Sequence, residues 1–205
     1  MTTTISRLYN NYGDARAAVQ QLEAAGVAHS DISIIASNAD NWYNNGKDTF
    51  PDRDLDGKDD RVQAAGKGAS IGAAAGGTAG LLTGLGLMAI PGVGPVVAAG
   101  WLVATLAGAA AGGATGGALG ALTQTGISRD EADVFAEGLR RGGAVVSARV
   151  TDNDASRLQA MMDRSAVRVA DRAEVYRKSG WKAFDPNATP YNADQVQKER
   201  SLYTK

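Results

Sequence analysis

Apolar positions follow three different rhythms along the chain. Up to residue 37 they fit one βαβ unit. Residues 5–9 read as a strand of β-branched and aromatic residues. From Gly13-Asp14 onward, Ala15, Val19 and Leu22 recur at helical spacing, and Gly26 closes that helix. Asp31-Ile32-Ser33-Ile34-Ile35 reads as the second strand. A similar rhythm returns after residue 128. Ser128 with Glu131 is a capping-box pair, and it opens a helix whose buried face is Val134, Phe135 and Leu139. Gly142-Gly143 stops it. Residues 144–150 read as a strand, 152–163 as a helix burying Ala155, Leu158 and Met162, and 167–170 as a short strand.

The third rhythm lies between these halves. From Gly68 to Ser128 there is no charged residue, and glycine returns at every fourth position. One arm carries Gly68, Gly72, Gly76, Gly80 and Gly84. After Pro91-Gly92-Val93-Gly94-Pro95 the second arm carries Gly100, Gly108, Gly112, Gly116 and Gly120, with Ala104 in the gap. The period predicts a helical hairpin with a glycine zipper on each leg. Glycine costs a helix about 1 kcal/mol relative to alanine. Such a ladder makes sense only where backbones approach closely and gain dispersion and Cα–H···O contacts. Large apolar residues crowd near the turn: Leu81, Leu82, Leu85, Leu87, Met88, Trp101, Leu102 and Leu106. This tip is expected to enter a membrane or to bury itself in further copies of the chain.

The two βαβ halves echo one another at a fixed offset. Asp14-Ala15 matches Asp154-Ala155, Leu22 matches Met162, and Ala25-Gly26-Val27 matches Ser165-Ala166-Val167. The expected fold class is therefore α+β: a ferredoxin-like split βαβ sandwich with the glycine-zipper hairpin inserted. The organisation follows: 1–37 is the first half, 38–66 an acidic polar loop, 67–127 the hairpin, 128–175 the second half. Residues 176–205 form an aromatic tail (Tyr176, Trp181, Phe184, Tyr191) ending in a short helix from 193 to 202. The tail either straps a neighbouring surface or folds back on its own domain.

Composition narrows the function. The 205 residues hold 21 Lys+Arg, 22 Asp+Glu, one His and no Cys. A net charge near zero gives no electrostatic case for nucleic acid. Without cysteine there is neither a disulfide framework nor a thiolate metal site. The polar start predicts no signal peptide, and the basic flanks of the hairpin suit a cytoplasmic protein at the inner face of the cell membrane. Asp52, Asp54, Asp56 and Asp60 have the spacing of a calcium loop, with Gly57 at its sharp turn. Gln63 stands where the bidentate Glu belongs, so calcium is not expected. His29 has no metal-ligand spacing around it and reads as a surface residue. No nucleophile pairs with a base, so no catalytic residue and no cofactor are expected.

Taken together, several pieces resemble the bacterial heat-induced general stress protein family. They are the N-terminal βαβ through Ser37, Asp-Gly-Lys-Asp-Asp-Arg at 56–61, Ile90-Pro-Gly-Val-Gly-Pro95, and Arg140-Arg141-Gly142-Gly143. Gly126-Ile127 before a helix and Gly180-Trp181 before Phe184-Asp185 complete the set. The resemblance implies a bacterial stress-associated protein and supplies no catalytic residues. The expected function is a non-enzymatic protein that self-associates through the hairpin and engages a membrane. The alternatives are a soluble homo-oligomeric scaffold with hairpins packed inside, or a small ligand-binding or enzymatic α/β domain.

Overall fold

A computed structural model describes residues 1–43, 85–105, 117–123 and 125–203. The elements are β1 (Thr2–Tyr9), α1 (Tyr12–Ala24), β2 (Ile32–Ser37), β3 (Gly86–Ile90), β4 (Gly94–Gly100), α2 (Gly117–Thr123), α3 (Arg129–Arg140), β5 (Ala144–Thr151), α4 (Asp152–Met162), α5 (Val169–Lys178) and α6 (Ala193–Ser201). The helices begin where side chains satisfy free backbone donors. Asn11 caps α1 at the Asp14 N–H, and Thr151 caps α4 at the Asp154 N–H. These two caps stand at the same offset as the sequence echo. The capping box of Ser128 and Glu131 forms in full at the start of α3.

The strands make one five-stranded antiparallel sheet in the order β1-β5-β2-β4-β3. Because β5 runs antiparallel to both β1 and β2, those two strands are parallel to each other with β5 between them. Apolar side chains cover both faces. Ile5, Tyr9, Ile32, Ile34, Val146 and Ala148 meet Val19 and Leu22 of α1 and Leu158 and Met162 of α4. On the other face Leu8, Ile35, Val145 and Val96 meet Phe135 and Leu139 of α3, Tyr176 of α5, and Phe184. This double cover explains why every residue of β2 is buried. A row of hydroxyls crosses the second face: Ser6, Ser147 and Ser33 stand in register on β1, β5 and β2. Ser6 Oγ lies 2.9 Å from Ser147 Oγ and donates to Thr125 Oγ1 at 3.2 Å, and Ser33 Oγ donates to the Ala99 carbonyl. Burial is tolerated because each hydroxyl has a partner.

Two expectations are corrected. The segment about Pro91-Gly92 is a β-hairpin, not the apex of two helices. Ile90 accepts from the Val93 N–H at 3.1 Å, and Gly92 has φ +73, so proline and glycine take the central positions of a β-turn. Val96 and Val97 then alternate across the two faces of β4, as β-branched residues do. The strand expected over 167–170 is also absent. Residues 167–168 run beside β1 with one backbone bond, Val167 N–H to the Leu8 carbonyl at 2.7 Å, and α5 starts at Val169.

Candidate functional site

The helix-packing glycines separate into two groups. Gly68, Gly72, Gly76, Gly80, Gly84, Gly108, Gly112 and Gly116 lie outside the described residues, as do Leu81, Leu82, Leu106 and the four aspartates Asp52, Asp54, Asp56 and Asp60. Gly100 and Gly120 are described, and Gly100 ends a strand rather than lying in a helix. Gly100 ends β4 at φ +93 against the backbone of Ile32 and Ser33. Gly120 lies in α2 with open space where its β-carbon would be. Among the described helical glycines, Gly138 of α3 admits close packing: a β-carbon there would come within 2.8 Å of the Leu8 methyl groups. A lone glycine in an otherwise ordinary amphipathic helix carries no periodic signal.

The tip residues also divide. Leu102 is buried in the core, Leu85, Met88 and Trp101 are half-buried, and Leu87 is exposed. The apex itself is covered. Val93 has no exposure, and the tail crosses the turn so closely that a β-carbon on Gly92 would lie 2.6 Å from Pro186 Cα. One on Gly94 would lie 2.7 Å from Pro190. The aromatic tail thus folds back on its own domain. Tyr176 belongs to α5, and Trp181 packs edge-on against it at 5.7 Å. Among the described residues, no helix is long and apolar enough to cross a membrane, and no group of acidic or histidine side chains could hold a metal ion. His29 Nδ1 lies 3.1 Å from Glu23 Oε1.

Where α6 lands, charged and aromatic side chains gather. Val196 is fully buried against Gly142, whose φ of +98 lets the chain turn under it. Glu137 of α3, 1% exposed, accepts from both Arg140 and Arg141, the latter at 2.6 Å. Arg141 also reaches Glu199 of α6 at 3.4 Å, and its guanidinium lies 4.2 Å from the Tyr176 ring centre. Burial works against the Arg141 charge, but the hydrogen bond and field of Glu137, with Glu199 behind them, outweigh it and raise its pKa. Arg200 of α6 donates to the Gly142 carbonyl at 2.8 Å and pairs with Asp40. Arg172 of α5 donates to Asn10 Oδ1 at 2.5 Å and lies 3.5 Å from the Tyr203 ring centre. Leu8, Asn10, Arg141, Arg172, Arg200 and Tyr203 line a cleft of about 10 Å³, room for one water-sized particle. The sequence gives no local sign of this cluster, because its members are brought together over as many as 162 residues.

Comparison with protein-family models, curated proteins and solved structures finds no match.

Proposed function

We propose that the protein is a non-enzymatic bacterial stress-associated scaffold that self-associates through its two glycine ladders, Gly68–Gly84 and Gly108–Gly116. One observation carries this reading. In sequence the first ladder precedes β3 and the second follows β4, and the start of β3 and the end of β4 are neighbouring points at the open end of one hairpin. The described residues that lead toward the two ladders thus stand at one end of the hairpin, while the tail covers the turn at its other end. Small residues at a regular spacing allow close backbone packing between segments of neighbouring copies.

In this reading the sheet is an elaborated ferredoxin-like sandwich. β1-α1-β2 with β5 between supports it, and the fourth strand is reduced to the single Val167–Leu8 bond. The location is cytoplasmic. A second reading places the ladders against the inner face of the cell membrane. Leu87, 39% exposed beside the ladder junction, favours that contact.

The test is mass by light scattering with and without detergent, combined with liposome flotation. Self-association predicts a defined oligomer that Gly76→Leu and Gly112→Leu dissociate, since a leucine pushes the backbones apart. A wild-type monomer in both conditions overturns the proposal. Flotation of the wild type with liposomes establishes the membrane reading.

A further inference from the structure

Three glycines from two separate turns support the C-terminal arm along one track. Gly92 and Gly94 stand at the β3–β4 turn and Gly142 follows α3, with left-handed φ of +73, +103 and +98. A β-carbon on Gly92 would lie 2.6 Å from Pro186, one on Gly94 2.7 Å from Pro190, and one on Gly142 would overlap Val196. The missing side chains leave room for a segment laid across them. Two residues of α3 hold that segment by its backbone. Asp133 Oδ1 accepts from the Phe184 N–H at 3.1 Å, and Arg140 donates to the Thr189 carbonyl at 3.3 Å. The Arg140 guanidinium also lies 4.8 Å from the Tyr191 ring centre. Backbone bonds with pockets for a few side chains are the means by which proteins hold extended peptides.

We propose that this track is a peptide-binding groove, filled here by the chain's own arm, and that the arm of a second copy fills it in exchange. The arm is built to leave as a unit. Gly180, at φ +87, has open space where its β-carbon would be, so the chain can pivot there. Of residues 182–203 only Phe184 and Val196 are buried. The Ala188 N–H donates to Asp185 and the Val196 N–H to Asn192, both inside the arm. Its further ties are polar or at a ring face: Glu199 to Arg141, Arg200 to the Gly142 carbonyl, and Tyr203 against Arg172. α6 has nine residues, below the roughly 12–15 at which a helix holds alone in water, so docking keeps it helical. An element with so little buried apolar surface opens before the whole fold does. A second copy offers the same Phe184, Pro186, Pro190 and Val196, so every contact made in one chain is available between two. Exchange of the arm needs no contact between the glycine ladders.

The experiment joins native-state hydrogen exchange of the full chain with binding of a labelled synthetic peptide of residues 181–203. The amides of Val196 and Leu202 should exchange at least about tenfold faster than those of Ile34 and Val146 in the sheet. Phe184→Ser with Val196→Ser removes both buried anchors of the arm and leaves the groove untouched. That double variant should keep its sheet and bind the peptide saturably by fluorescence anisotropy. The wild type, whose tethered arm competes, should bind it at least about tenfold more weakly. A peptide carrying the same two serines should not bind the double variant. Arm and sheet amides exchanging together, loss of the sheet in the double variant, or no difference between the two peptides overturns the proposal.

Discussion

Gly92 lies directly beneath Pro186: a β-carbon on the glycine would stand 2.6 Å from the proline Cα and 2.7 Å from the Asp185 carbonyl oxygen. Both obstacles are backbone, so the tail itself must move to admit a side chain. Gly92→Ala should therefore lift residues 184–190 from the turn. Gly26→Ala is the matched control: it has a similar left-handed φ of +91 but open space around it. The control should lose about 1–2 kcal/mol through backbone strain alone. Gly92→Ala should lose more, and Trp181 fluorescence and cleavage after Lys182 should report the released tail. Equal losses in the two variants would show that Pro186 yields at no cost.

Glu137 is the buried carboxylate that holds two arginines. Glu137→Gln leaves Arg140 and Arg141 without their shared counter-charge and should cost about 3–5 kcal/mol. Glu174→Gln breaks only the exposed pair with Lys178 and should leave urea stability unchanged. Urea melts of the two variants check both statements.

Two buried tyrosines set an alkaline limit. Burial pushes the Tyr176 hydroxyl up to about 12 against the pull of Arg172, and burial also raises that of Tyr9. The unfolded chain ionises tyrosine near pH ~10. Above that pH the unfolded state loses protons that the folded state keeps, so stability falls. The slope should approach about 1.4 kcal/mol per pH unit for each tyrosine, with the full contribution present below pH ~10. Among the described residues the Tyr9 hydroxyl also has no hydrogen-bond partner. Tyr9→Phe should leave stability at neutral pH unchanged or raise it by up to about 1–3 kcal/mol. It should also make the alkaline decline shallower. Melting curves from pH 8 to 12 test both.

Ser128→Ala removes the side chain that accepts from the Glu131 N–H, and the reciprocal bond from Glu131 loses its setting. The expected loss is about 1 kcal/mol, and Ser128→Asp should retain most of the stability. Loss of helix signal beyond α3 would contradict a local cap.

Local chemistry was legible in the sequence wherever neighbours decide the outcome. Ser128 and Glu131 predicted the start of α3, and Ala15, Val19 and Leu22 predicted the buried face of α1, because capping and helical period act within a few residues. The segment about the Pro91-Gly92 turn differs from its helical expectation for the same reason. Glycine every fourth residue suits a helix stripe, but Val96 and Val97 beside Pro91-Gly92 are the local marks of a β-hairpin, and pairing with β2 decided between them. The burial of Glu137 has no local mark in the sequence. Its partner Arg141 also reaches Glu199 of α6, about sixty residues further along, which no local pattern encodes. Calcium ligation at Asp52–Asp60 and most of the glycine ladder fall outside the described residues.

The position of β5 has a consequence for the order of assembly. Among the described strands β1 pairs only with β5, so until residues 144–151 exist the first strand lacks that partner in the sheet. Closing that pairing spans about 140 residues, a contact reached late because chain entropy must be lost first. During synthesis both glycine ladders leave the ribosome before the strand that completes the sheet. For that interval the longest charge-free stretch of the chain is presented without its finished scaffold, when apolar segments are most prone to join wrong partners. A truncation ending before residue 144 should consequently behave as an aggregating fragment, and adding the 128–205 segment should rescue it by strand insertion.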